Sequence, residues 1–136
     1  MKQLFTILAL LMACSTSLMA QQRPSEEEQE KQLLEYIDKE VERLTSVLKL
    51  EYWQTFYADS TMVHDFQAMR EEMKALSDSK VSNQDMYIAV QDKWNEKIYE
   101  SFRRFLTDEQ WAKYEKTGAG REKRARDKRK AKAEKK

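Results

Sequence analysis

The stretch RRFLTDEQWAKYEK, from Arg103 to Lys116, contains a helix boundary that is repeated elsewhere in the chain. Thr107 is a good helix N-cap, because its hydroxyl can accept a hydrogen bond from a free backbone N–H, and Gln110 can reach back to close a capping box. Asp108 and Glu109 place negative charge at the positive end of the helix dipole. The stretch therefore predicts that one helix ends before Thr107 and that another begins after it.

A related stretch, LKLEYWQTFY, lies upstream at Leu48–Tyr57. The spacing from Gln54 to Gln110 equals the spacing from Leu50 to Leu106. The two boundaries are thus arranged as an imperfect repeat with a long segment between them.

The composition favours helices. The chain has 136 residues with only two Gly and one Pro, which suggests one small domain and argues against a sheet protein with many turns. Four helices are predicted from apolar residues that recur at three- and four-residue steps. The first follows a capping box at Ser25, the second starts after Leu50, the third starts near Ser82 or Asn83, and the fourth starts at Thr107.

The second and third helices, each of roughly 25 residues, are joined by the polar turn 77–83, so they are expected to form a long antiparallel hairpin. The helical domain is predicted to cover residues 25–116. We assign these apolar residues to an ordinary core: Phe56, Val63, Phe66, Val90, Ile98 and Phe102.

The second predicted helix carries further aromatic and Met side chains beside its core residues. Together they make an apolar surface wider than one neighbouring helix can cover. They are Trp53, Tyr57, Met62, Met69 and Met73. Flexible Met beside rigid aromatic rings suits contact with varied apolar partners, and packing in a homodimer is the alternative. The simplest way to cover the surplus is a second copy of the chain.

The segment 1–20 has the layout of a secretory signal, with Lys2, an apolar run from Leu4 to Ala13 and small residues near Ala20. The run is too short to span a bilayer. We favour cleavage after Ala20. The alternative is a lipoprotein, because LMAC resembles a lipobox with Cys14 as the lipidated residue.

Both interpretations predict export. Cys14 is the only cysteine, so a disulfide is not expected to stabilise the domain.

The charge is unevenly distributed. Residues 21–120 contain 14 Lys/Arg and 21 Asp/Glu, whereas residues 121–136 contain 10 Lys/Arg and 3 Asp/Glu. Residues 117–136 lack large apolar side chains and are predicted to form a basic solvated tail. Export disfavours nucleic acid as a partner of the tail. The tail is expected either to act only as a solubilising segment or to contact anionic lipid, an acidic client or the acidic body of the chain.

No catalytic or metal site is predicted. His64 is the only histidine, and its neighbours at helical spacing are Ser60, Thr61, Ala68 and Glu71, so no cluster of imidazoles or thiolates is expected to hold a metal and no catalytic triad is recognised. The many carboxylates alternate with Lys and Arg at i, i+4, as on solvated helix faces. We therefore expect neither an enzyme nor a cofactor.

The paired motifs resemble those of the Spy/CpxP family of periplasmic LTxxQ proteins over roughly Leu33–Lys116. The matching residues are Leu48, Leu50, Gln54, Leu106, Thr107 and Gln110, with Glu51 in place of the first threonine. The resemblance implies an all-α, cradle-like antiparallel homodimer in the periplasm. Because Glu is a poor N-cap, the first junction is expected to be a kink or a continuous helix.

The resemblance also implies the function. The expectation is an ATP-independent chaperone that binds unfolded or partially folded proteins during envelope stress. A regulatory adaptor or sensor that docks on an envelope signalling protein or protease through the tail is the alternative, and metal sensing is the less favoured one. Membrane contact is expected only through the basic tail or a lipidated Cys14.

Overall fold

The structure is a computed structural model that describes residues 24–135, and no β-strand occurs among them. Its helices are α1 (Glu26–Leu48), α2 (Tyr52–Asp78), α3 (Gln84–Phe105), α4 (Asp108–Tyr114) and α5 (Gly120–Ala133), with a π-helical segment, Glu115–Ala119, between the last two. The prediction of an all-α fold is confirmed. The predicted export signal, residues 1–20, and the alternative lipidation site Cys14 lie outside the described residues.

The described residues fall into two units, residues 24–30 and residues 31–135. In the first unit, residues 24–30 contain the predicted capping box. The Ser25 hydroxyl accepts from the Glu28 N–H at 3.2 Å, and the Glu28 carboxylate accepts from the Ser25 N–H at 3.1 Å. These reciprocal bonds satisfy two backbone donors at the start of α1.

The second unit contains the hydrophobic core. The core side of α1 presents residues spaced by three and four positions, namely Ile37, Val41, Leu44 and Leu48. These residues form one cluster with Ala58 and Met62 of α2, Ile98 and Phe102 of α3, Leu106 and Tyr114. The apolar residues that recur at helical spacing in the sequence therefore pack together in one hydrophobic core.

Most of the predicted core residues are buried or packed against this cluster, but Phe56 is not. Val90, Ile98 and Phe102 are buried, and Val63 and Phe66 are partly buried. The side chain of Phe56 is 62% exposed, so the prediction that it belongs to the core is wrong for this chain. Phe56 lies one turn after Tyr52, on a side of α2 that the described helices leave uncovered.

The junction between α1 and α2 is a clean break, so the predicted kink or continuous helix is wrong. Lys49 has the left-handed φ of 53° that ends a helix, and the Leu50 N–H then donates to Thr45 O at 3.1 Å. Glu51 is extended, with φ −73° and ψ 162°, which is the usual N-cap conformation. The backbone geometry of a cap is thus present although the residue is a glutamate.

The turn between α2 and α3 ends at Asn83, whose side chain accepts from the Asp85 N–H at 3.0 Å. Beyond the turn, Glu72 of α2 contacts two neighbouring residues of α3. Its carboxylate accepts from Lys93 Nζ at 2.6 Å and from Trp94 Nε1 at 2.7 Å. These bonds connect α2 to α3 at the level of Glu72.

None of the described helices combines the length and the apolar character that crossing a membrane requires.

Candidate functional site

The two repeated motifs meet in the folded chain. The side-chain amide of Gln54 donates to Gln110 Oε1 at 2.7 Å, and the amide of Gln110 donates back to Gln54 Oε1 at 3.0 Å. Each amide also donates to the backbone before the other's helix boundary, Gln54 to Phe105 O at 3.0 Å and Gln110 to Lys49 O at 3.4 Å. These two carbonyls have the same spacing along the chain as the two glutamines, so the contacts repeat as the sequence does.

The two amide oxygens make a second reciprocal set of contacts. Gln54 Oε1 accepts from the Glu51 N–H at 3.0 Å, and Gln110 Oε1 accepts from the Thr107 N–H at 3.0 Å. The Thr107 hydroxyl also accepts from the Gln110 N–H at 3.3 Å, which confirms the predicted capping box. Each glutamine thus links its own N-cap to the other boundary.

The leucines of the motifs pack beneath these bonds. Leu48 and Leu106 are buried in the core, and Leu50 packs against it while partly exposed. Because the amides of Gln54 and Gln110 already use their donors and acceptors on one another and on the backbone, they have little capacity left for a ligand. We conclude that the motif residues form a structural joint between two helix starts.

A cluster of aromatic side chains projects from the first turns of α2, next to this joint. We define the aromatic patch as Tyr52, Trp53, Phe56 and Tyr57; Tyr52 is 91% exposed, and the other three are about half exposed or more. Three of these rings contact edge to face, with centroids 6.1 Å apart for Trp53 and Tyr57 and 6.2 Å apart for Phe56 and Tyr57. Exposed rings held in fixed positions are typical of protein-binding surfaces.

Local bonds hold the patch in place. Trp53 Nε1 donates to the Glu51 carboxylate at 2.7 Å, and the ring of Tyr57 stacks on Phe105 with centroids 6.2 Å apart. The patch is therefore anchored to both helix boundaries that the paired glutamines connect.

The structure separates the residues that were predicted to form one partner-binding surface. Trp53 and Tyr57 belong to the patch, whereas Met62 is only 4% exposed and belongs to the core. Met69 and Met73 are partly buried. At 3.6 residues per turn, the three methionines lie roughly half a turn around α2 from the two aromatic residues. We therefore leave Met62 out of the candidate surface and treat Met69 and Met73 as a separate face.

Tyr52 and Phe56 are the surface residues that the sequence interpretation missed. It assigned Phe56 to the core and did not single out Tyr52. The sequence did contain an indication of their exposure. Aromatic residues occupy the adjacent positions 52 and 53, and again 56 and 57, and such neighbours spread around the helix too widely for all of them to lie on one buried face.

A shallow groove of about 440 Å³ lies between α1 and α2, beside the patch. Val41, Tyr52 and Phe56 supply apolar wall, whereas Asp38 and Asp59 are among the carboxylates that line it. Among the described residues that line the groove, none is a lysine or an arginine. An apolar segment that carries basic residues would meet complementary charge there.

The predicted tail is largely solvated but not free. Most side chains of α5 are exposed, yet Arg126 is 8% exposed and lies against α3. Arg126 Nε donates to Glu96 Oε2 at 3.0 Å, Lys123 Nζ lies 2.9 Å from Glu96 Oε1, and Arg129 binds Asp92 with two bonds of 2.7 Å. The prediction of a solvated tail missed this docking, because α5 is held by ion pairs and not by an apolar stripe.

The described residues contain no group of three or more His, Cys, Asp or Glu side chains placed to hold a metal ion. His64 is mostly exposed, and its Nδ1 lies 2.8 Å from the Asp65 carboxylate.

Comparison of the chain with family models, curated proteins and solved structures returned no match.

Proposed function

We propose that the protein is an exported, ATP-independent chaperone-like protein that binds unfolded or partially folded proteins through the aromatic patch. The observation that carries the proposal is the exposure of Tyr52, Trp53, Phe56 and Tyr57 at one end of α2. A client that exposes apolar segments would bury them against these rings, and contacts of this kind stay weak enough for release as the client folds. The proposed role is binding, without catalysis or a cofactor.

The resemblance of the paired motifs to the Spy/CpxP family supports the periplasm as the location and envelope stress as the setting. Export would follow from the segment 1–20, with cleavage after Ala20 or lipidation of Cys14 as alternatives. The mass of the N-terminal peptide from the exported protein separates the three outcomes: residue 21 at the start, a lipid on residue 14, or no processing. The last outcome would remove the basis for the periplasmic proposal.

We propose that α2 and α3 form the antiparallel hairpin and that two hairpins associate as a homodimer. The bonds from Glu72 to Lys93 and Trp94 support side-by-side packing of the two helices within one chain. Sedimentation analysis of the purified protein should give twice the mass of one chain.

The function is tested with the double substitution Tyr52→Ser and Phe56→Ser, which removes the two most exposed rings of the patch. Within the described structure, neither side chain makes a hydrogen bond or lies in the core cluster, so we expect an unchanged helical circular dichroism spectrum. The wild-type protein should slow the aggregation of reduced α-lactalbumin, followed by light scattering, at a near-stoichiometric ratio. The double variant should lose most of that effect.

The matched control is Met86→Ser, which removes an exposed apolar side chain from the start of α3, outside the patch. It should suppress aggregation as well as the wild type does. Equal losses in both variants, or no suppression by the wild type at low or high salt, would reject the chaperone proposal. A double variant that becomes monomeric would instead identify the patch as the dimer interface and also reject it.

The exposed basic face of α5 favours a second candidate. Arg121, Arg124, Lys128, Lys130 and Lys132 are exposed, and they would suit an acidic partner such as an envelope sensor or protease. Deletion of residues 121–136 separates the candidates. Loss of one defined partner together with intact suppression of aggregation favours the adaptor.

A further inference from the structure

A second cavity lies in the unit formed by residues 31–135, away from the aromatic patch. It has a volume of about 330 Å³, within the range of small-molecule sites, and residues of all five helices and of the π-helical segment line it. Its apolar lining includes the core or core-packed side chains of Leu44, Met62, Phe66, Ile98 and Phe102. The interior of the cavity would therefore accept an apolar group.

The side of the cavity formed by α5 is basic. Arg121, Arg126 and Arg129 line it there with a single carboxylate, Glu122, and residues 121–136 carry 10 Lys/Arg against 3 Asp/Glu. Arg129 is bound by Asp92 with two bonds, whereas Arg121 has only a 3.7 Å approach to Glu122. The local field favours a negative group at this side.

Arg126 provides the specific contact. Its side chain is 9% exposed and its Nε is bonded to Glu96, while its Cζ lies 5.5 Å from the centre of the Tyr99 ring. In the part of the chain that the structure describes, Arg126 Nη2 is the one buried side-chain nitrogen or oxygen without a hydrogen-bond partner. A buried guanidinium donor is costly to leave unpaired, so this residue is suited to an added acceptor.

We infer that this cavity binds an amphipathic monocarboxylate, with its apolar body on the core side and its carboxylate on Arg126. The unpaired Nη2 of this charged guanidinium suits a carboxylate oxygen, which would accept a charge-assisted hydrogen bond from it. A dianion is disfavoured, because Glu40 and Asp92, which engage the neighbouring Arg43 and Arg129, also line the cavity together with Glu122 and would repel a second negative charge. The inference does not depend on the proposed chaperone function.

The test is calorimetric titration of the purified protein at neutral pH with decanoate, decanol and decyltrimethylammonium. These probes share a ten-carbon chain and differ in the charge of the head group. We expect decanoate to bind once per chain, decanol about ten-fold or more weakly, and the cation not measurably. Equal binding of all three would show non-specific adsorption and overturn the proposal, as would the absence of decanoate binding.

Two substitutions on the same helix assign the site. Arg126→Gln should weaken decanoate binding about ten-fold or more, since a hydrogen bond to a charged group is lost. Arg124→Gln removes the same charge from an exposed position outside the cavity lining and should leave the affinity unchanged. Equal losses in both variants would mean that only general charge matters and would overturn the proposal.

Two more variants guard against misassignment. Arg126→Lys keeps the charge but lacks the planar fork, so it should bind more weakly than the wild type while α5 stays folded by circular dichroism. The Tyr52→Ser, Phe56→Ser double variant should bind decanoate as tightly as the wild type does. Loss of binding in that double variant would place the ligand on the aromatic patch and overturn the cavity assignment.

Discussion

Gln54 and Gln110, far apart in the sequence, hold each other by two amide hydrogen bonds of 2.7 and 3.0 Å. Gln54 is only 2% exposed, so water replaces these bonds poorly if one partner is removed. The pair connects the start of α2 to the start of α4. The two glutamines occupy matching positions of the repeated motif, so the two copies of the motif contact each other in the folded chain.

Replacement of Gln54 by Leu should destabilise the chain strongly. The change leaves the Glu51 N–H and Phe105 O without their side-chain partner and unpairs part of Gln110. We expect a loss of about 1–3 kcal/mol in the free energy of unfolding, measured by urea denaturation. Gln91→Leu, at an exposed position of α3, is the control and should change stability little.

A double-mutant cycle with Gln54→Ala and Gln110→Ala then measures the coupling. Side chains that act as one network give a non-additive result, with an interaction of about 0.5–3 kcal/mol. Additive losses would show that each glutamine serves only its own N-cap.

The sequence predicted where the helices lie better than it predicted which contacts their side chains make. The boundary at Thr107 was readable because capping is a local interaction between residues three positions apart. The break at Glu51 was not predicted, although Gln54, three positions on, accepts from the Glu51 N–H as Gln110 does from that of Thr107, and the Glu51 carboxylate binds Trp53. Propensity alone ranks glutamate as a poor cap and does not include these partners.

The candidate site shows the same division. The excess of aromatic and Met side chains was apparent from the composition, and the exposure of Trp53 and Tyr57 fits it. Phe56 and Met62 were assigned to the wrong sides of α2, because spacing defines a face without stating what covers it. The docking of Arg126 on Glu96 could not be predicted, since an ion pair between residues distant in the sequence leaves no local pattern.

The bonds of Glu72 predict a dependence of stability on acid pH. Hydrogen bonds from Lys93 and then Trp94 lower the pKa of Glu72 below its usual 4.5. A lowered folded-state pKa gives stability that is present above the unfolded value and is lost as the pH falls through the folded one. We expect Glu72→Gln to reduce the unfolding free energy at pH 7 and to make little difference at pH 2.

The control for this experiment is Glu71→Gln, which neutralises the adjacent exposed carboxylate. It should leave the difference in stability between pH 7 and pH 2 close to that of the wild type. An equal effect of both substitutions would show that net charge, and not the contacts of Glu72, controls the acid dependence.

The raised pKa of Tyr99 predicts that stability also depends on pH in the alkaline range. Burial, with the hydrogen bond to Glu115 at 2.8 Å as a smaller cause, raises the pKa of Tyr99 to about 12. The associated stability is complete below pH 10, the value for an unfolded tyrosine, and is lost as the pH rises through about 12. In a titration followed at 295 nm, Tyr99→Phe should remove a transition near the upper end of this interval.

Glu115→Gln should bring that transition to a lower pH, because it removes the negative partner of the Tyr99 hydroxyl. Glu134→Gln, near the end of the described chain, is the control and should leave the titration unchanged. A Tyr99 transition that does not move in Glu115→Gln would leave burial as the only cause of the raised pKa.

The attachment of α5 should depend on salt. Its ion pairs with α3 run from Lys123 and Arg126 to Glu96 and from Arg129 to Asp92. Partly exposed pairs are weakened by added salt. We therefore expect trypsin to cut within residues 121–133 faster at 1 M NaCl than at 50 mM, as measured by mass spectrometry of the early fragments.

Asp92→Asn combined with Glu96→Gln should reproduce the fast cleavage at low salt, because both acceptors for α5 are then neutral. Glu100→Gln removes a carboxylate from the same helix that forms no ion pair in the described structure, and it should keep cleavage slow at low salt. A double variant that is cut no faster than the wild type would mean that helix propensity and the burial of Arg126, and not the ion pairs, keep α5 in place.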